Sequence, residues 1–165
     1  MFAWILTGAL AALQGQAVLV QLPDAHQAIA AELDWQGQQI SLSRIEGEWV
    51  ALIGVDLDVA AGEYEMPVRF TLPGGAVQAH TEVLSVAPGA YPETHLEVAQ
   101  RYVDLSEENQ ARAARESRKI SAVYAARSPQ TDWLQPFTAP LPGVRGGRNF
   151  GHRRFFNGQP RNPHS

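Results

Sequence analysis

From residue 18 to about residue 99, apolar and polar positions alternate in short runs, which is the two-residue period of half-buried β-strands. The pattern predicts strands at residues 18–22, 39–45, 49–55, 62–70, 79–86 and 95–98. Pro67, inside the fourth run, favours an edge strand or a bulge because proline cannot donate to a sheet. Pro73-Gly74-Gly75 marks a turn. This spacing predicts a mainly β fold, with an immunoglobulin-like β-sandwich over residues 18–100.

A helical pattern follows the strands. Residues 107–127 contain strong helix formers without Gly or Pro, Ser106 is a suitable N-cap, and Ser128-Pro129 ends the run. We therefore expect one long connecting helix within residues 101–128, followed by an extended tail. One side of this helix carries a narrow apolar stripe, which consists of Ala113, Ile120, Val123 and Tyr124. We expect this stripe to dock against a neighbouring domain.

The N-terminus carries an uncharged apolar run over residues 1–13, which is too short for a comfortable membrane-spanning helix. Its length is typical of the central region of a secretory signal, and Gly15 and Ala17 provide small residues for a cleavage site. No Lys or Arg precedes the run, so a buried first helix of a cytosolic domain is the alternative. We expect a signal peptide over residues 1–17 and an exported protein of the periplasm or cell envelope, with membrane contact through this signal alone.

Charge divides the chain into two parts. Residues 18–100 contain twelve acidic and two basic side chains, whereas residues 101–165 contain eleven basic and five acidic ones. The acidic positions fall on the polar phases of the predicted strands and indicate a solvated face. A metal site at Asp56 and Asp58 is the less favoured alternative, because no Gly-rich calcium loop surrounds them. The arginines lie among Gly and Pro rather than in a basic run, so we expect no nucleic-acid partner.

Cysteine is absent, which excludes disulfides and Cys-based zinc sites or nucleophiles. His26, His80 and His95 are scattered through the predicted strands, and we expect surface or partly buried positions for them. His152 and His164 lie twelve positions apart, without the spacing of a helical ligand pair.

The segment FGHRRFFNGQPRNPHS, residues 150–165, resembles the start of the catalytic domain of lysostaphin/LytM-type zinc metallopeptidases. These are exported enzymes that cut peptide bonds in peptidoglycan. The segment VALIGVDLDVAAGEYEMPV, residues 50–68, resembles the N-terminal β-domain of members of this family. The segment VDLSEENQARAARE, residues 103–116, resembles their connecting helix. The resemblance therefore extends over most of the chain.

The resemblance implies a zinc site whose first ligand is His164. In this family that histidine is followed by Gly-x-Asp, and a distant His-x-His supplies a second ligand and a general base. Two imidazoles and one carboxylate hold zinc and leave a position for water, which the metal activates. By this pattern residues 129–165 are the start of a truncated metallopeptidase domain. We expect no catalytic residue in this chain and no activity from it alone.

Further residues of the motif are candidates for substrate binding. Arg153, Arg154 and Arg161 are suited to orient carboxylates of peptidoglycan peptides or of the missing C-terminal catalytic domain. Asn157 is a further candidate, and Asn157-Gly158 is also a preferred tight-turn pair. For each of them, bracing of a loop is the alternative role. We expect the tail to be poorly ordered without its packing partners.

Together these features predict the N-terminal portion of an exported zinc metallopeptidase that hydrolyses peptide cross-links of peptidoglycan in cell-wall remodelling. Its expected partners are peptidoglycan peptides and the missing catalytic domain. Two alternatives remain at this point: a non-catalytic periplasmic regulator of cell-wall hydrolases, and a free-standing binding module.

Overall fold

The computed structural model describes residues 9–24, 27–100, 103–126, 132–139, 141–143, 147 and 149–163. Within them the chain is mainly β with one α-helix, as the sequence predicts. The chain divides into two compact units, residues 1–90 and 91–165. The elements are β1 (Leu10–Leu13), β2 (Ala17–Pro23), β3 (Ala30–Trp35), β4 (Gln38–Ser41), β5 (Ser43–Ile45), β6 (Glu48–Gly54), β7 (Gly62–Thr71), β8 (Val77–Ala87), β9 (Glu93–Leu96), α1 (Glu107–Ala125), a 3₁₀ turn (Asp132–Leu134), β10 (Arg153–Phe156) and β11 (Gln159–Arg161).

The N-terminal unit contains two sheets that share one core. The larger sheet has the order β1-β8-β7-β3-β4 and the smaller has the order β2-β6-β5. The apolar side chains of strands from both sheets pack together in a single buried cluster. Each Val, Leu, Ile, Phe or Met side chain of this cluster stabilises the fold by about 1.5–3 kcal/mol when it leaves water. The largest fully buried side chains are Val20, Leu33, Ile53, Met66, Val68 and Leu84.

Two buried tryptophans belong to this core, and the indole N–H group of each donates a hydrogen bond. Trp35 in β3 donates from Nε1 to the carbonyl of Gly54 at 2.8 Å, and thereby joins the two sheets. Its ring meets Tyr64 edge-on at 5.7 Å. Trp49 in β6 donates from Nε1 to Asp24 at 3.1 Å. Both indoles therefore combine a buried apolar body with a hydrogen-bonded polar edge.

The predicted strand at residues 39–45 is two strands in different sheets. β4 pairs with β3, whereas β5 pairs with β6. Leu42 lies between them, is only 6% exposed, and donates its backbone N–H to Ala31 at 2.9 Å. The chain therefore crosses from one sheet to the other at a buried leucine, which continues the apolar phase of β4.

Pro67 lies in a central strand rather than an edge strand. In β7 it is opposite Thr81 of β8. On the other side of β7, however, the pairing with β3 begins only at Val68, opposite Leu33. Pro67 therefore has a partner strand on one side only, which is the local situation of an edge strand and suits a residue without an N–H.

Residues 10–17, within the predicted signal peptide, form part of the N-terminal unit. β1 runs parallel to β8, with Ala12 opposite Val86. Gly15 donates to the carbonyl of Val55 at 2.8 Å, and Val55 donates back to Gln16 at 2.8 Å. Cleavage after Ala17 stays a prediction, and these contacts define what such a cleavage would remove from the fold.

The C-terminal unit contains the third sheet, in the order β11-β10-β9, and the helix. β9 was predicted near residues 95–98 as the last strand of the sandwich, but it pairs instead with β10. The expectation of a poorly ordered tail is wrong for β10 and β11, because they form a hairpin.

Helix α1 confirms its predicted start. The hydroxyl of Ser106 accepts a hydrogen bond from the backbone N–H of Asn109 at 3.3 Å, as an N-cap does. No residue of α1 is buried, and the predicted apolar stripe stays exposed at Ile120, Val123 and Tyr124. Docking of this stripe against a neighbouring domain stays a prediction. No helix in the described part of the chain has the length and apolar character needed to cross a membrane.

Candidate functional site

The predicted site residues lie on a three-stranded sheet that is built around a tight hairpin. Asn157 and Gly158 join β10 to β11 with φ angles of 51° and 77°. A two-residue hairpin turn of type I′ requires positive φ at both central positions, and Asn-Gly is the preferred pair. The tight turn predicted from the sequence is therefore confirmed. Along its other edge, β10 runs parallel to β9, with Arg154 opposite Thr94.

The turn places two arginines directly across the hairpin from each other. Arg154 of β10 is opposite Arg161 of β11. Residues opposed in this way project from the same face of a hairpin. An open cleft of about 470 Å³ at this place is lined by Arg154, Phe156, Pro160, Arg161 and Asn162. The structure thus brings together two of the predicted substrate-binding residues.

Arg161 is held in place by the residues around it. Its Nη2 donates to the carbonyl of Val103 at 3.2 Å and to Oε1 of Gln159 at 3.3 Å. Its guanidinium carbon lies 5.8 Å from the centre of the Phe156 ring, within the range of a cation–π contact. The cation therefore has a defined position before any ligand arrives.

Arg154 is half-buried in β10. Its Nε is shielded from solvent and has no hydrogen-bond partner among the described residues. A shielded donor without an acceptor costs about 1–3 kcal/mol relative to a satisfied one. Arg154 therefore brings a second cation to the cleft, and its Nε stays without an acceptor among the described residues.

Arg153 is separated from this pair. Successive side chains of a strand point to opposite faces, so Arg153 lies on the face away from Arg154, where it is exposed. Phe155 continues that second face and stacks on the ring of His95, with centroids 4.5 Å apart and planes inclined by 9°. The substrate-binding role predicted for Arg153 stays a prediction, on a surface distinct from the cleft.

Asn157 uses its side chain within the protein. Its Oδ1 accepts a hydrogen bond from the backbone N–H of Val98 at 2.8 Å, and its Nδ2 donates to the Val98 carbonyl at 2.9 Å. Its own backbone N–H donates to Leu96 at 2.9 Å. These contacts hold the turn against the segment that follows β9.

The chain enters β10 through a close contact that the sequence does not reveal. Gly151 has a φ of +73°, and a Cβ built on it would lie 2.1 Å from the Tyr91 ring. Tyr91 also meets Phe150 edge-on at 6.0 Å. His152 then pairs through Nε2 with the hydroxyl of Thr94 at 2.7 Å. These contacts join residues 150–152 to Tyr91 and to Thr94 of β9.

The described residues do not by themselves supply a zinc site. The predicted ligand His164 lies outside the described residues. Within them, no group of three or more His, Cys, Asp or Glu side chains is placed to hold a metal ion. Asp56 and Asp58 are not part of such a group, and His80 is instead paired with Glu82 at 2.8 Å.

Comparison of the sequence with protein-family models and with curated proteins finds no match.

Proposed function

We propose that this chain is the N-terminal portion of an exported zinc metallopeptidase that hydrolyses peptide cross-links of peptidoglycan. The proposal rests on the resemblance of residues 150–165 to the start of a lysostaphin/LytM-type catalytic domain. It gains support from the arginine cleft, which the same motif forms immediately before His164 in the sequence. His164 is the proposed first zinc ligand. Hydrolysis needs further ligands, so we assign it to a longer protein and expect the 165-residue chain to be inactive.

We propose for the N-terminal unit an immunoglobulin-like β-sandwich. Its support is the single core shared by the five-stranded and three-stranded sheets, with inner and outer positions alternating along β2 and β8. The parallel β1–β8 pair is an addition at one edge of this arrangement.

The test of the peptidase proposal is release of soluble muropeptides from purified sacculi. The protein is produced with whatever the reading frame encodes after Ser165, and His164→Ala is compared with the unchanged protein. We expect release to depend on zinc and to be lost in His164→Ala, while His95→Ala, at an exposed histidine, retains it. Undiminished, chelator-resistant release by His164→Ala would overturn the assignment.

A non-catalytic role is the second candidate, favoured by the self-contained core of residues 1–90. Here the unit serves as a regulator or binding module of cell-wall hydrolases. Co-sedimentation of the 165-residue chain with sacculi measures this role. Equal retention of the unchanged chain and His164→Ala, together with no hydrolysis by the longer protein, would favour the binding module over the enzyme.

A further inference from the structure

We infer that the cleft at Arg154 and Arg161 binds the carboxylate of a peptide. This inference deepens the proposed function and rests on it for the origin of the peptide, because it names the chemical group that the cleft recognises. Its own support comes from the charge, the free donors and the walls of the cleft.

Charge is the first step. The two guanidinium groups belong to directly opposed residues of one hairpin. Like charges at such positions repel each other. The five residues that line the cleft include no Asp or Glu to neutralise them. A bound anion removes the repulsion and gains two attractive partners at once.

The donors are the second step. Arginine carries five N–H donors in a planar fork that matches a carboxylate. Among the described residues, Arg161 donates from Nη2 alone, which leaves its Nε and Nη1 hydrogens available. The Nε of Arg154 is shielded from solvent, so a ligand in the cleft would meet this side chain at its terminal Nη groups. The two side chains therefore retain enough donors for both oxygens of one carboxylate.

The walls are the third step and favour an organic ligand. The Phe156 ring and Pro160 line the cleft beside the cations, and Asn162 adds a carboxamide. An apolar wall stabilises a carbon-bearing ligand and offers nothing to a strongly hydrated inorganic phosphate. The contacts of Arg161 with Val103 and Phe156 fix one cation in advance, which lowers the entropy cost of binding.

The experiment is a titration of the 165-residue protein without zinc, monitored by NMR of the arginine side-chain N–H groups. The probes are acetyl-Ala-Ala with a free carboxylate, the same dipeptide as its C-terminal amide, acetyl-Glu-methylamide, and inorganic phosphate. We expect the free dipeptide to shift the signals of Arg154 and Arg161 and to bind at least about tenfold more tightly than its amide. Binding of acetyl-Glu-methylamide also supports the inference. Comparison of its affinity with that of the dipeptide shows whether the cleft prefers a side-chain carboxylate or a terminal one.

Matched variants locate the site. Arg154→Gln removes the cation and, at Nε, breaks no hydrogen bond with the described residues, so we expect the variant to stay folded and to bind the dipeptide about tenfold more weakly. Arg115→Gln removes an exposed arginine of helix α1 that is not among the residues lining the cleft, and leaves binding unchanged. Equal binding of acid and amide, tighter binding of phosphate, or equal loss in both variants would each overturn the inference. Failure of the peptidase proposal appears separately, as intact sacculi after incubation with the longer protein.

Discussion

The side chain of Asn157 extends the sheet by pairing with the backbone of Val98. Oδ1 accepts at 2.8 Å and Nδ2 donates at 2.9 Å, so the carboxamide takes both positions that a peptide group of a neighbouring strand would take. Asn157 also occupies the first position of the hairpin turn, with a φ of 51°. One residue thus fixes the turn and joins it to the end of β9. Substrate binding by Asn157 stays a prediction, and the structure adds a holding role that can be measured.

Replacement of Asn157 by Ala removes both bonds to Val98 and places a residue with little tolerance for positive φ in the turn. We expect the opening free energy of the Val98 amide to fall by about 2–3 kcal/mol, because each lost bond contributes about 1 kcal/mol and the turn adds strain. Hydrogen exchange of the Val98 N–H measures this. Asn157→Asp keeps the side-chain acceptor and loses the side-chain donor. Its opening free energy at Val98 should therefore lie between those of the unchanged protein and Asn157→Ala. Unchanged exchange in Asn157→Ala would contradict the holding role.

Gly151 and Gly143 provide a matched test of the contact at Tyr91. Both have a φ of +73°, but a Cβ on Gly151 would lie 2.1 Å from the Tyr91 ring, whereas one on Gly143 meets nothing within 4 Å. Alanine at either position carries the same backbone strain of about 1–2 kcal/mol. We expect Gly151→Ala to destabilise the C-terminal unit more than Gly143→Ala, as measured by urea unfolding followed by NMR of that unit. Equal losses would show that the ring moves aside without cost.

The fold was most predictable from sequence where a strand has one buried face. β2, β7 and β8 alternate along most of their length, and the predicted runs lie within one or two residues of their bounds. β3 is missing from the predicted set because it is rich in Ala, Glu and Asp, which have low β-propensity, although Leu33 and Trp35 are buried. The switch between sheets at Leu42 leaves no such signal, since a buried leucine fits either sheet.

The candidate site was predictable only in its local part. Asn157-Gly158 predicts a two-residue turn, and such a turn by itself sets Arg154 opposite Arg161. The partners of these residues were not predictable, because they depend on parallel pairing between segments far apart in sequence. Thr94 meets His152, and Val98 meets Asn157, only once β9 lies beside β10. No periodicity in either segment encodes that pairing.

The Asp34–Arg69 pair predicts an acid-sensitive contribution to stability. Arg69 donates from Nη1 to Asp34 at 2.7 Å, and this hydrogen bond, supported by the arginine charge and partly opposed by desolvation, holds the pKa of Asp34 below its ordinary value. A carboxyl group whose pKa is lower in the folded state stabilises the fold at pH above its unfolded value, about 3.9. That contribution is lost as the pH falls through the folded value.

We expect Arg69→Gln to raise the pKa of Asp34 toward the ordinary value, as followed by NMR titration of the side-chain carboxyl. The variant should be less stable than the unchanged protein at pH 7, with the difference shrinking on acidification below about pH 4. Arg112→Gln, which breaks an exposed ion pair with Glu116, serves as the control and leaves Asp34 unchanged. Identical titration of Asp34 in all three proteins would refute the coupling.

The final prediction concerns β1, which lies inside the predicted signal peptide. Ala12 is 6% exposed and lies opposite Val86, whereas Ala11 on the same strand faces solvent. If β1 belongs to the folded protein, Ala12→Asp introduces an unpaired charge into the core and Ala11→Asp does not. We expect Ala12→Asp to lower the free energy of unfolding by about 3–5 kcal/mol, and Ala11→Asp by less than about 1 kcal/mol, in denaturant unfolding of the full chain.

Cleavage after Ala17 predicts a different result for the same pair of variants. A mature protein that begins at Val18 lacks β1, so neither aspartate is present and both proteins unfold alike. N-terminal sequencing of protein recovered from the periplasm establishes which form is being measured. A mature chain that retains residues 10–17 keeps the β1–β8 ladder and the bonds of Gly15 and Gln16 with Val55. If instead the chain begins at Val18, the β8 edge from Leu84 to Ala87 loses its partner, and exchange of the N–H groups that bond to β1 in the intact chain should become faster.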